Sequence, residues 1–243
     1  MRRLLLPPGL LLPPGLAAAE PAAFTPAQRA EIVTILRHAL ATDPSILRDA
    51  VEALKADDGR QQAEGARQVL ATEGAALTAD PRDQIQGNPA GDVTLVVFYD
   101  PRCPYCRRME PVIAQLIKAD PKLRVVLKDL PILGPASVLE SRALVAARRQ
   151  DGYLKLMAAL MAAPPDATPA LVREQAVRVG LDADRLEKDM QDPAISAQFN
   201  ANLALARRLG IEGTPMMVVG TQILQGAAEP AELRAAIAAA RKS

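Results

Sequence analysis

Tryptophan is absent from this sequence, aromatic residues amount to 2%, and histidine occurs once. Without large aromatic side chains a core has to be assembled from Leu, Val, Ile and Ala, which the 49% apolar content supplies. Ala- and Leu-rich segments interspersed with charge favour helix, so the composition points to a helix-dominated α/β protein. Excess charge is lacking as well. The formal net charge is +1, which gives no electrostatic reason to expect nucleic acid or an anionic membrane surface as a partner. Cysteine occurs only at Cys103 and Cys106. A disulfide-stapled scaffold spreads more cysteines along the chain, and a loop this small cannot constrain a fold of this length. A four-ligand zinc site lacks ligands, because the single histidine, His38, stands far away in sequence. Copper(I), for which two thiolates suffice, stays open at Cys103 and Cys106. Long apolar runs are missing too. Leu4–Leu16 is interrupted by Pro7-Pro8 and Pro13-Pro14, and no later segment approaches about 20 uninterrupted apolar residues.

What is present begins with an export pattern. Arg2 and Arg3 precede the apolar stretch, and Ala17-Ala18-Ala19 offers a small-residue cleavage site before Glu20. Residues 1–19 therefore read as a signal peptide that sends the chain to the periplasm. Residues 20–85 read as helical throughout, with no strand. Ile32, Ile35, Leu36, Ala39 and Leu40 form one apolar stripe, and Leu47, Ala50, Val51 and Leu54 form another after the Asp43-Pro44 helix start. Arg60 to Ala76 is weaker, being interrupted by Gly65 and Gly74. These stripes can pack within the chain or against the same stripes in another copy, and because they precede a complete domain the second is expected. His38 reads as a partly exposed helix residue.

Gln86-Gly87-Asn88-Pro89-Ala90-Gly91 is a breaker cluster, and the main domain is expected to run from 86 to 243. Val93–Tyr99 and Leu123–Leu127 read as buried strands around a helix ending near Ala119, a right-handed βαβ unit. A helical insertion at about 136–209 follows. Met216–Val219 and Gln222–Leu224, joined by Gly220-Thr221, then read as a hairpin, and Glu232–Arg241 as a closing helix. Lys128 is expected to be a surface charge at a strand end, Asp100 an exposed cap, and Met216 and Met217 core or a soft substrate-facing surface.

The chemistry concentrates at Cys103-Pro104-Tyr105-Cys106. In a helix-opening Cys-x-x-Cys the first sulfur meets the free N–H groups and positive end of the helix dipole. Pro104 suits the first turn, where its missing N–H has no helical partner. Cys103 is expected to attack or be attacked, and Cys106 to resolve the mixed disulfide. Arg102, Arg107 and Arg108 add positive charge nearby.

Phe98-Tyr99-Asp100-Pro101-Arg102-Cys103-Pro104-Tyr105-Cys106-Arg107, with Pro111 beyond it and Gly213-Thr214-Pro215 near the C-terminus, resembles the DsbA branch of the thioredoxin superfamily. Val126–Gly134, the linker Gln86–Pro89 and the helical N-terminal region are similar to the suppressor-of-copper-sensitivity C (ScsC) proteins. The resemblance implies an α/β thioredoxin fold with an inserted helical domain, preceded by an N-terminal helical region. It also implies a cis Pro215 packed against the redox pair, with the Thr214 backbone left to pair with an extended substrate. Pro104, Tyr105, Thr214 and Pro215 would then support catalysis by Cys103 and Cys106. The redox-active disulfide would serve in place of any cofactor. Implied partners are unfolded or misoxidised secreted proteins, a membrane redox partner and further copies of the chain, but no nucleic acid. The implied activities are disulfide isomerisation or oxidation, with copper(I) carriage by the same thiolates as the alternative. One departure stands out: Val97 occupies the strand position, six before Cys103, where DsbA-like proteins often carry an acid able to accept the second cysteine's proton.

Overall fold

The structure, a computed structural model, describes residues 24–164 and 167–242; the expected signal at 1–19 lies outside them. The chain divides into two compact units, one ending at Asp58 and the other beginning at Gly59.

The first unit holds helix α1 (Pro26–Thr42) and the start of α2 (Ser45–Thr72). Thr25 opens α1 with a capping box: its hydroxyl accepts from the Gln28 N–H, while the Gln28 side chain accepts from the Thr25 N–H. The helix start read at Asp43-Pro44 falls one residue later: α2 begins at Ser45, and Asp43, which closes α1, accepts from the Ser45 N–H at 3.0 Å. The large side chains of the apolar stripes lie open, from 37% exposed at Leu40 to 64% at Leu54, and α1 buries no residue. His38 is exposed.

In the second unit a short helix α3 (Gly74–Thr78) leads into a five-stranded sheet of order β1-β3-β2-β4-β5. The strands are β1 (Gln84–Gly87), β2 (Val93–Tyr99), β3 (Leu123–Asp129), β4 (Met216–Val219) and β5 (Gln222–Gln225). β2 and β3 run parallel, joined by helix α4 (Pro104–Ala119), while the other neighbours are antiparallel. β2 is a nearly continuous apolar run, and β3 is apolar at Leu123 and Val125–Leu127, because both faces of these strands are covered. On one face Leu95, Val97, Val125 and Met217 pack against Met109, Ile113 and Leu116 of α4, and against Leu233 and Ile237 of the last helix, α10 (Pro230–Ala240). Helices α5 (Pro135–Ala147), α6 (Tyr153–Ala162), α7 (Pro169–Arg178), α8 (Ala183–Asp189) and α9 (Pro193–Arg208) form the insertion between β3 and β4. On the other face Val96, Phe98, Val126 and Val218 meet Leu77 of α3 and Leu205 and Leu209 at the end of α9.

Two expectations need correcting. The stretch before residue 86 is not free of strand: Gln84–Gly87 pairs with β3, Gln84 opposite Leu127 and Gly87 opposite Arg124. Four residues, three half-buried and one exposed, carry too little pattern to announce a strand; the neighbouring β3 edge induces it. Gly87, at φ +71°, comes so close to β3 that a Cβ there would stand 2.5 Å from the Leu123 carbonyl oxygen. Lys128, expected on the surface, is 1% exposed and ion-paired with the equally buried Asp83 at 2.5 Å, while also donating to the Ala76 carbonyl. A buried ammonium needs such partners, and together they fasten α3 and the segment before β1 onto the sheet.

Candidate active site at the start of α4

The C-terminal end of β2 delivers the chain into the loop Asp100–Arg102, which ends at Cys103. Cys103 is the N-cap of α4, extended at φ −70° and ψ 120°, and Pro104 occupies the first turn. Asp100 shapes this loop. Expected as an exposed cap, it is fully buried: one carboxylate oxygen accepts from the Arg102 N–H at 2.8 Å. The other accepts from the N–H groups of Ile132 and Leu133 at 2.9 and 3.1 Å. A buried carboxylate with three backbone donors is satisfied, and it ties the Cys103 loop to the loop leaving β3.

Cys103 and Cys106 are both free thiols and both 4% exposed. The Cys103 thiol donates to the Thr214 carbonyl oxygen at 3.1 Å. The Thr214–Pro215 peptide is cis, as the resemblance implies. Gly213, Thr214, Pro215, Gln225 and Gly226 line an open groove at the mouth of the hairpin. Cys106 lies one turn into α4, on the side facing the sheet. Burial pushes its thiol above the ordinary range. It lines a mostly apolar cleft with Val97, Tyr99, Met109, Glu110, Met157, Met161 and Pro215. Tyr105 points outward, 52% exposed, with the Arg108 guanidinium 4.5 Å from its ring centroid. Arg102 pairs with the buried Glu140 at 3.3 Å, and Arg107 donates to the Pro101 carbonyl at 3.2 Å. Two of the three arginines thus brace the loop.

The site residues expected from sequence, Cys103, Pro104, Tyr105, Cys106, Thr214 and Pro215, are therefore brought to one end of the sheet. Sequence reasoning missed a buried group behind them. Tyr99 and Tyr153 both donate to Asp129, which desolvation drives up to about 7 against the pull of the two hydroxyls. Burial likewise pushes both tyrosines well above their usual range. The available signal was two-residue alternation, which puts Val97, Tyr99, Leu127 and Asp129 on one face of paired strands. Among the described residues, no group of three or more His, Cys, Asp or Glu side chains gathers as metal donors.

A family model described as a DSBA-like thioredoxin domain matches residues 94–238, more than half of the chain. A thioredoxin-like oxidoreductase from Silicibacter pomeroyi is 41% identical, with a TM-score of 0.68, over 70% of this chain and 98% of that one. ScsC of Proteus mirabilis in a transitional conformation is 29% identical, with a TM-score of 0.66, over 90% of this chain and 99% of that one. A periplasmic thioredoxin-like protein from Salmonella enterica serovar Typhimurium is 28% identical, with a TM-score of 0.63, over 70% and 96% of the two chains. Among curated proteins, Na(+)/H(+) antiporter NhaA 3 of Salinispora tropica matches at 29% identity over 167 residues, 68% of this chain and 26% of that protein. The match thus spans about a quarter of the length of the curated relatives. No helix among the described residues is long and apolar enough to cross a membrane.

Proposed function

This chain belongs to the DSBA-like thioredoxin family of thiol–disulfide oxidoreductases, and from that premise we propose that it isomerises or introduces disulfides in exported proteins in the periplasm. The observation that carries the reading is the approach of the Cys103 thiol to the Thr214 carbonyl, with Cys106 buried one turn behind. Cys103, as a thiolate, attacks a client disulfide; a bond forms between its sulfur and one client sulfur, and the other client sulfur leaves as a thiolate. In isomerisation a client thiol then displaces Cys103. In resolution Cys106 attacks the Cys103 sulfur, closing the Cys103–Cys106 disulfide and releasing the reduced client. Introduction of a disulfide is the reverse: one client thiolate attacks Cys103 of the closed pair, Cys106 leaves as a thiolate, and a second client thiolate displaces Cys103, leaving the client oxidised and the pair reduced. An extended client strand pairs with the Thr214 backbone beside the groove, next to the exposed ring of Tyr105. The redox pair itself serves in place of a cofactor, and a membrane redox partner resets it.

The export pattern at 1–19 and the likeness to a periplasmic protein support this location. The exposed stripes of α1 and α2 support self-association through the N-terminal helices, which would set several redox sites around one client. Copper(I) carriage is the second reading, favoured by three thioethers, Met109, Met157 and Met161, that share the cleft with Cys106. The experiment is reactivation of a scrambled-disulfide substrate by catalytic amounts of protein in a glutathione buffer. Recovery well above a Cys103→Ser control identifies an isomerase. No recovery, with rapid oxidation of a reduced peptide, identifies an oxidase. Inactivity in both, with stoichiometric copper(I) binding that protects the thiols from alkylation, replaces the exchange reading with the carrier.

A further inference from the structure

Tyr99, Asp129 and Tyr153 form a closed cluster that the exchange steps above leave unused. Tyr99 ends β2, Asp129 ends β3 directly opposite it in register, and Tyr153 opens α6. All three are buried, at 3%, 1% and 2% exposure. The Tyr99 hydroxyl lies 3.0 Å from Asp129 Oδ1, the Tyr153 hydroxyl lies 2.9 Å from both carboxylate oxygens, and the two hydroxyls also meet each other closely. With Asp129 ionised, two hydroxyl hydrogens serve these contacts, and the contact between the hydroxyls has no donor left once both point at the carboxylate. A third proton on the carboxylate completes a ring: Asp129 donates to Tyr153, Tyr153 to Tyr99, and Tyr99 back to Asp129. The cluster is built to hold one more proton than its ionised form carries.

Its two ends face different spaces. Tyr99 lines the cleft that also holds Cys106, and this cleft has room for about one water molecule. Tyr153 lines a separate open groove with Asp151 and Lys155. The charged groups facing Asp129 are Asp83, from the segment before β1, and Arg148, from the 3-10 turn Arg148–Gln150; they act in opposite directions. The strand position six before the nucleophile is the apolar Val97, which can take no proton. The other ionisable group on the cleft is the half-buried Glu110 of α4.

We propose that the Tyr99–Asp129–Tyr153 cluster takes up the proton of Cys106 when that thiol attacks the mixed disulfide on Cys103, and returns it in the reverse reaction. The inference rests on the exchange reading above. The Cys106 S–H bond breaks as its sulfur bonds to Cys103; the Cys103–client bond breaks, and the client sulfur leaves with the electron pair. The proton crosses the cleft to the Tyr99 oxygen as the Tyr99 hydrogen moves to Asp129. It is later released past Tyr153 into the groove. The client disulfide is the only oxidant required.

The test follows closure of the mixed disulfide formed between reduced protein and glutathione disulfide, by acid quench and intact mass from pH 5 to 9. In the wild type, closure should rise with pH and reach a plateau above about 7, where Asp129 is ionised. Asp129→Asn and Tyr99→Phe should abolish the plateau, leaving a rate that keeps climbing with hydroxide and is slower at neutral pH by on the order of a hundredfold. Alkylation of Cys103 by iodoacetamide should be unaltered in both. If Asp129→Asn does not fold, Tyr99→Phe, which removes one oxygen, carries the test. A retained plateau in Tyr99→Phe, or its loss in Glu110→Gln instead, overturns the relay while leaving exchange intact. A wild-type protein that never forms the glutathione adduct overturns exchange and relay together.

Discussion

The Cys103 thiol donates to the carbonyl oxygen of Thr214 at 3.1 Å, although 111 residues separate the two. Cys103 follows β2 and Thr214 precedes β4, and these strands pair with Phe98 opposite Met216. The contact is thus a consequence of sheet pairing: the nucleophile and the backbone offered to a client are held by neighbouring strands. The helical insertion from Pro135 to Arg208 is bracketed by β3 and β4 and leaves that pairing intact.

Cys103→Ser should reduce reactivation of a scrambled substrate to that of buffer alone. Cys106→Ser should accumulate mixed disulfides with clients, because the step that releases them is gone. Non-reducing gels of whole exported protein, with and without later reduction, would show the adducts. Their absence would argue against protein clients.

Lys128→Met leaves the Asp83 carboxylate buried without its counter-ion. A loss on the order of 3–5 kcal/mol is expected in urea unfolding at neutral pH. The double variant Lys128→Met with Asp83→Asn should regain much of it, since the uncompensated charge is then removed. Equal losses in the single and double variants would mean that the ammonium acts through its bond to the Ala76 carbonyl instead.

Stability should decline as pH rises from about 4 to about 7. Burial raises Asp129 to about 7 and Asp83 to about 6, whereas an unfolded aspartate titrates near 3.9. Between these values the folded protein binds more protons than the unfolded one, so raising the pH favours unfolding, by about 1.4 kcal/mol per pH unit for each proton. Asp129→Asn should make the decline shallower and end it near pH 6, where Asp83 finishes titrating. Denaturant midpoints across this range are the measurement; a flat wild-type profile would refute the assignment.

Ile35→Lys combined with Leu54→Lys places charge on the open stripes of α1 and α2. If these faces join copies, the variant should sediment as a monomer while the wild type does not. Peptide oxidation by the Cys103 site should persist, and recovery of scrambled substrate should fall severalfold. A wild type that is already monomeric at micromolar concentration would refute self-association through these helices.

Much of this protein was legible before folding was considered. The β2 run and the apolar part of β3 announce themselves because strands covered on both faces favour apolar side chains, and β2 spans Val93–Tyr99 as read. Helix α4, the hairpin of β4 and β5, and the helical insertion followed from periodicity and breakers. The short strand β1 was not legible, because its partner strand rather than its own pattern makes it a strand. Asp100 and Lys128 were misjudged for a related reason. A charged side chain at a strand end is ordinarily solvated, and only the arrival of Ile132, Leu133, Asp83 and Ala76 from elsewhere in the chain makes burial tolerable.

The sequence by itself determined the chemistry: one Cys-x-x-Cys opening a helix, a Thr-Pro before the last hairpin, and no other cysteine. These are local facts, set by residue type and by spacing within a single turn. Tertiary structure alone decided which groups surround the sulfurs. It put Thr214 against Cys103, sank Cys106 into an apolar cleft, and gathered two of the chain's three tyrosines on Asp129. Such meetings depend on strand order and register, which long-range packing fixes and no local pattern records.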